Sequence, residues 1–274
     1  MALSPDMVLL VAALAGAGFL SGLIAGLLGV GGGIVLVPAL YQTFVFFDLP
    51  AYLQMHMAVG TSLAIICFTG AQSARSHFKR DAVEPAKLKS WGGFIIAGAL
   101  VGAIASRFIA PSGLKLVFAA LSLGLGVRML ARGQYTEAAK LSPLPVFWQK
   151  SGALNIGFFS ALMGIGGGTF SVPLLGRAGL DIHKAVGTSA ALGVFVAIPA
   201  TLGFMLAGQG LPELPALSVG YVNMLALLLM IPASMLGAPL GVRLAHRLSE
   251  TTLHFIFAGF LLLSGGRMAL ALFF

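Results

Sequence analysis

The sequence predicts an all-α polytopic membrane protein built from two inverted-topology repeats. Each repeat is a glycine-rich re-entrant or broken helical hairpin followed by three transmembrane helices. Three observations point there: the composition, a recurring set of glycine-centred blocks, and the placing of the basic residues. Of 274 residues, 58% are hydrophobic and 9% charged, whereas a soluble domain carries about 25% charged residues. A mean hydropathy of +1.00 leaves too little polar surface to coat a water-soluble globule. At roughly 25–30 residues per span and loop, there is length for about nine or ten membrane elements and for no soluble domain beside them. The net charge of +8 is read as a topology signal and not as a nucleic-acid surface, because the basic residues sit in gaps between apolar runs.

The first apolar stretch, Met7 to Leu28, has no basic residues before it and is too long for a signal-peptide core, so it is expected to be a retained span. Within it begins Gly22-Leu23-Ile24-Ala25-Gly26-Leu27-Leu28-Gly29-Val30-Gly31-Gly32-Gly33, which returns as Gly157-Phe158-Phe159-Ser160-Ala161-Leu162-Met163-Gly164-Ile165-Gly166-Gly167-Gly168. A Val-Pro pair follows each triple glycine, Val37-Pro38 and Val172-Pro173. Next, His56-Met57-Ala58-Val59-Gly60-Thr61-Ser62 matches His183-Lys184-Ala185-Val186-Gly187-Thr188-Ser189. Gly98 and Gly102 then correspond to Gly237 and Gly241, and Arg128-Met129 to Arg267-Met268. Blocks recurring in one order divide the chain into a repeat at 1–135, a cytoplasmic linker at 136–150 and a second repeat at 151–274.

Three spans are expected after each hairpin: 57–75, 91–108 and 114–131 in the first repeat, and 185–206, 219–242 and 253–272 in the second. The return arms of the hairpins, 34–47 and 169–177, are too short to cross. As a helix, the run 169–177 covers about 12 Å of a ~30 Å hydrocarbon core. Both triple glycines are therefore placed inside the membrane, where non-helical backbone survives only when buried in protein or lining a wet cavity. Basic residues orient the whole. Arg75, Lys79, Arg80, Lys87 and Lys89, the linker, Arg177 with Lys184, and Arg243 with Arg247 mark the cytoplasmic face. The gaps 48–56 and 207–219 contain no Lys or Arg and are placed outside, as is the N-terminus. The helix carrying Thr61 then runs opposite to the one carrying Thr188, the inverted arrangement that many secondary transporters use. Arg107 and Lys115 form the one discordant gap.

A helix that starts at a glycine turn exposes unpaired N–H groups, and glycine lets an anion approach them. Gly31, Gly32, Gly33 with Pro38, and Gly166, Gly167, Gly168 with Pro173, are thus read as a paired substrate site, with the prolines interrupting the apolar segments. For Gly22/Gly26, Gly98/Gly102 and Gly237/Gly241, close helix packing is the preferred reading. Thr61, Ser62, Thr188 and Ser189 supply hydroxyls either for the substrate or for bonds within and between helices. His56 and His183 are candidates for a proton or gating role, beside the commoner role of a residue at a helix entrance.

Every acidic residue falls in an expected gap or terminus, which leaves no mid-membrane carboxylate to bind Na⁺ or relay protons. No nucleotide or zinc motif is present. No cofactor, metal, catalytic residue or nucleic-acid partner is therefore expected, and the lone Cys67 permits no intramolecular disulfide. An enzyme is disfavoured. The remaining readings are a small-anion transporter, a carrier of a cation or other metabolite, and a non-transporting membrane scaffold.

The paired Gly-x-Gly-Gly-Gly and Val-Pro blocks, together with His-x-Ala-Val-Gly-Thr-Ser, resemble the sulfite exporter TauE/SafE family of membrane permeases. The resemblance covers nearly the whole chain. It implies multi-pass transport of sulfur-containing anions, such as sulfite or organosulfonates, across the bacterial inner membrane. Which anion, which direction, which coupling ion and which oligomeric state it does not fix.

Overall fold

Helices that follow apolar runs dominate the architecture of this computed structural model, which describes residues 5–28, 32–132, 144–245 and 247–273. Gly31 and most of the linker at 136–150 lie outside the described residues. The first half contains α1 (Pro5–Leu28), α2 (Gly33–Phe46), α3 (Ala51–Phe78), α4 (Pro85–Ser106) and α5 (Pro111–Arg132). The second contains α6 (Val146–Met163), α7 (Gly168–Arg177), α8 (Ile182–Ala207), the strands β1 (Ser218–Val219) and β2 (Val222–Asn223), α9 (Met224–Ala245) and α10 (Glu250–Leu270). Among the described residues, six helices, α1, α3, α4, α5, α8 and α9, are long and apolar enough to cross a membrane. The chain is an all-α polytopic membrane protein.

Local chemistry sets the starts of these helices. Prolines open α4 and α5, where the missing N–H costs no helical bond. Asp181 caps α8 by accepting the Lys184 N–H at 3.0 Å, and Ser249 caps α10 by accepting the Thr252 N–H at 3.2 Å. Two expectations need correcting. The span expected from 219 begins at Met224, because Ser218–Asn223 closes an antiparallel hairpin with Ser218 opposite Asn223. The Asn223 carboxamide then caps α9 through the Ala226 N–H at 2.8 Å. Neither proline interrupts its segment: α2 runs through Pro38 and α7 through Pro173. In each case the proline lies beyond the first turn, so only the bond to the fourth preceding carbonyl is lost while the helix continues.

The packing exchanges elements between halves. α1 lies on α9 and α6 lies on α4, while α3 faces α8 and α5 faces α10. Glycines make the two crossings possible. A Cβ on Gly22 would strike the Ser234 carbonyl, and one on Gly237 the Phe19 carbonyl. In the other crossing, Gly98 meets the Leu154 carbonyl and Gly157 the Ile95 carbonyl. Without a hydrophobic drive between helices in lipid, such backbone approach is a main source of association. α3 runs through the centre of the core, with Val59, Leu63 and Ile65 fully buried. Val101, Ile104, Leu228, Leu236 and Leu263 face outward, a surface suited to acyl chains and not to water. Lys115 from the discordant gap donates to the Ala271 carbonyl at 3.1 Å and lies 4.9 Å from the Tyr41 ring centroid. It is a cation at the end of α10, where the helix dipole favours one, and its position reports that contact more than membrane sidedness.

Candidate substrate site at the paired glycine turns

Each hairpin turns on a glycine in the left-handed region. Gly32 has φ 72° and ψ −10° before α2, and Gly167 has φ 73° and ψ −12° before α7. Only glycine adopts this conformation without strain from a Cβ. The Gly32 carbonyl accepts the Val35 and Leu36 N–H groups, each at 3.0 Å, while the Gly167 carbonyl accepts those of Phe170 at 3.1 Å and Ser171 at 2.8 Å. Gly33 and Gly168 therefore begin true helices, whose first N–H groups have no partner within the helix. No acidic residue lies in the first turn of either one. Two positive helix ends are left without a carboxylate to offset them.

The two turns touch. A Cβ on Gly33 would lie 2.7 Å from the Gly164 oxygen and 2.8 Å from Ile66 Cδ1, and one on Gly166 would lie 2.9 Å from Ile66 Cγ2. Ile66 of α3 thus fills the space between the hairpins. Its counterpart in α8 is Gly193, where a Cβ would meet the Gly166 oxygen. The arrangement is buried, with Val37 and Ile165 wholly inaccessible. Pro38 and Pro173 lie within their short helices beyond the turns. Those helices, of 14 and 10 residues, reach about 21 and 15 Å, well short of a ~30 Å core.

The Gly-Thr-Ser blocks hold this centre in place. Thr61 Oγ1 accepts the Asn223 N–H at 3.0 Å, and Thr188 Oγ1 accepts the Glu84 N–H at 2.9 Å. Each threonine therefore grips the residue that precedes the fourth helix of the other half. Gly60 and Gly187 make room for it: a Cβ there would crowd the Tyr221 and Ala82 carbonyls respectively. Ser62 donates to the Gly164 carbonyl at 2.7 Å, and Ser189 to the Gly168 carbonyl at 3.4 Å. The four hydroxyls are thus engaged with backbone, two at the starts of α4 and α9 and two at the second hairpin. Lys184 also pairs with Glu84 at 3.3 Å at the same junction.

The two histidines are not brought together. His56 is buried, with Nε2 3.0 Å from the Ser106 carbonyl and its ring stacked 4.8 Å from that of Tyr221. His183 is exposed in the first turn of α8, two residues after the Asp181 cap. Among the described residues, four hydroxyls in the helices flanking the glycine turns, which the repeat pattern does not single out, are buried without a partner, those of Ser21, Ser160, Thr169 and Ser171; Ser122 of α5, away from the turns, is a fifth. The only sequence signal for the first four is a small polar residue within a helix that leads into or out of a glycine turn.

A profile of the sulfite exporter TauE/SafE family matches residues 14–268. Among curated relatives, a "Probable membrane transporter protein" of Haemophilus influenzae is 34% identical over 250 residues, covering 89% of this chain and 92% of the relative. The "Probable membrane transporter protein YunE" of Bacillus subtilis is 26% identical over 269 residues, covering 90% and 93%. A probable membrane transporter of Methanocaldococcus jannaschii, MJ0441, is 26% identical over 256 residues, covering 89% and 90%. No solved structure matches the chain.

Proposed function

Since the chain belongs to the sulfite exporter TauE/SafE family, we propose that this membrane transporter carries small sulfur-containing anions, such as sulfite or an organosulfonate, out of the cell. The observation that carries the reading is a pair of hairpins in contact through Gly33 and Gly164, each starting a helix at a buried left-handed glycine, Gly32 or Gly167, without an acidic residue in its first turn. Such ends attract an anion through backbone N–H groups and the helix dipole, as broken helices do in other transporters. Binding without a buried lysine or arginine leaves the ion free to depart. A cation would meet the wrong ends of both dipoles.

In this reading Gly32, Gly33, Gly166, Gly167 and Gly168 form the seat, with Gly31 assigned to it from the sequence repeat alone. Pro38 and Pro173 keep the seat's helices short of full backbone bonding. Thr61, Ser62, Thr188 and Ser189 fix the seat's position relative to α4 and α9. His56 is a packing residue beside Tyr221, and His183 belongs to the α8 entrance. The halves at 1–135 and 151–274 are proposed to be inverted copies. The exchange of α1 with α6, each onto the fourth helix of the other half, supports this, because a two-fold relation would generate that pattern. The membrane in question is the bacterial inner membrane.

The test is flux from liposomes containing the purified protein. Sulfite, thiosulfate and sulfoacetate are compared with sodium and divalent metal ions. Saturable anion flux with no cation flux is the expected result. Cation flux, or no flux of any anion, would overturn the proposal.

A further inference from the structure

Beside each left-handed glycine lie the same two positions of the preceding helix, one turn apart. A Cβ on Gly32 would lie 3.0 Å from Ala25 Cβ and 3.2 Å from Ser21 Oγ. A Cβ on Gly167 would lie 3.6 Å from both Ile156 Cγ2 and Ser160 Oγ. Aligning the repeats puts Ser21 opposite Ile156 and Ser160 opposite Ala25. Each turn therefore has one serine beside it, but from the opposite position of the pair. Ser21 is 1% and Ser160 0% exposed, and neither hydroxyl has a hydrogen-bond partner. A buried hydroxyl without a partner costs about 1–3 kcal/mol, and a helical serine normally avoids this by bonding to the carbonyl one turn back.

We propose that Ser21 and Ser160 are substrate-binding residues, each donating its hydroxyl hydrogen to an oxygen of an oxyanion seated at the adjoining helix N-terminus. This rests on the anion-transport reading above and sharpens it. The hydroxyl would act beside the first N–H groups of α2 or α7, adding a neutral donor at each turn. A sulfite or sulfonate group, with three oxygens, matches such a set. A halide has one centre to share among the donors and gains less from them. The seats adjoin, since Gly33 abuts Gly164 and Ile66 lies against both hairpins.

The experiment compares wild type with Ser21→Ala, Ser160→Ala and Ser160→Thr, as the full chain. Thermal unfolding in detergent is measured with and without sulfite, and sulfite flux is measured in liposomes. Without sulfite, the alanine variants are expected to unfold at or above the wild-type temperature, because an unpartnered buried hydroxyl has been removed. Their half-saturation for sulfite should rise about tenfold each, the loss of one hydrogen bond to a charged group. Ser160→Thr, which keeps a hydroxyl, should stay within about threefold of wild type. Wild-type affinity in both alanine variants would overturn the assignment, as would alanine variants that unfold earlier without sulfite, which would show that the hydroxyls bond within the fold. A wild type that neither binds nor carries sulfite, thiosulfate or sulfoacetate would overturn the anion reading itself, and this proposal with it.

Discussion

A left-handed glycine is the one residue whose replacement is costly even where there is room. At Gly167 the nearest atom to an added Cβ is Val196 Cγ2 at 3.3 Å, so the penalty of Gly167→Ala is mainly conformational, about 1–2 kcal/mol. That variant should insert and fold with a lowered unfolding temperature and reduced flux. Gly167→Val and Gly32→Val add methyl groups beside the first N–H donors and force a β-branched residue to positive φ, so flux should be abolished while membrane insertion persists. Wild-type flux from both valine variants would place the anion elsewhere. Gly98→Val gives the contrast, because its Cβ strikes the Leu154 carbonyl and should cost folding itself, seen as lost yield and early unfolding. The sequence pattern separates these two kinds of glycine: the triple runs repeat beside a Val-Pro pair, whereas Gly98 and Gly237 lie inside long apolar helices. It does not single out Ser21 and Ser160, which occupy non-equivalent positions of the repeat. Nor does it reveal the partners of Thr61 and Thr188, whose bonds join residues 162 and 104 apart in the chain.

Between elements, the threonines make the clearest mechanical claim. Thr61→Val keeps the shape of the side chain but leaves the Asn223 N–H at the start of α9 without an acceptor. The expected loss is about 1–3 kcal/mol, with Thr61→Ser recovering most of it. Thr188→Val should act likewise on the Glu84 N–H before α4. Thermal unfolding of all three variants checks this, and an unchanged unfolding temperature in both valine variants would show that the bonds contribute nothing. The existence of most helices is legible because membrane-length apolar runs can hardly be anything else. Their ends are less so. α3 begins at Ala51, six residues before the expected span, since its polar first turns continue the helix without adding hydropathy. The β1–β2 hairpin and the Asn223 cap hide inside an apolar stretch, where a two-residue ladder leaves no periodic trace. Pro38 and Pro173 read as breaks from composition alone, but a helix anchored by packing on both sides tolerates one missing bond.

At the scale of the whole molecule, the inverted arrangement and the energetics of transport are both open to test. Cysteine reporters in a Cys67→Ala background should label from outside at Gln209 and from inside at Lys89, both exposed; labelling from one side would sink the inverted-repeat proposal. Coupling follows from where the charges are. Among the described residues, Glu84 and Asp181 precede helices, and Asp48, Asp81 and Glu213 sit at positive φ in turns. Asp6 and Glu250 lie in the first turns of α1 and α10. None of these is placed mid-helix to hold Na⁺ or shuttle protons. An uncoupled carrier can still export, because an anion leaving a negative cytoplasm gains about 2.3 kcal/mol per charge for each 100 mV. At ~150 mV this is roughly 3.5 kcal/mol, enough to sustain a several-hundredfold gradient of a monovalent anion. For a divalent anion the free energy doubles and the attainable gradient is squared. Uptake against the same field would require a coupling ion, so direction and coupling are linked. Efflux from liposomes with the potential clamped by potassium and valinomycin should therefore rise with an inside-negative potential and ignore imposed sodium or pH gradients. Flux that follows a sodium or pH gradient and ignores the clamp would show a coupled mechanism instead.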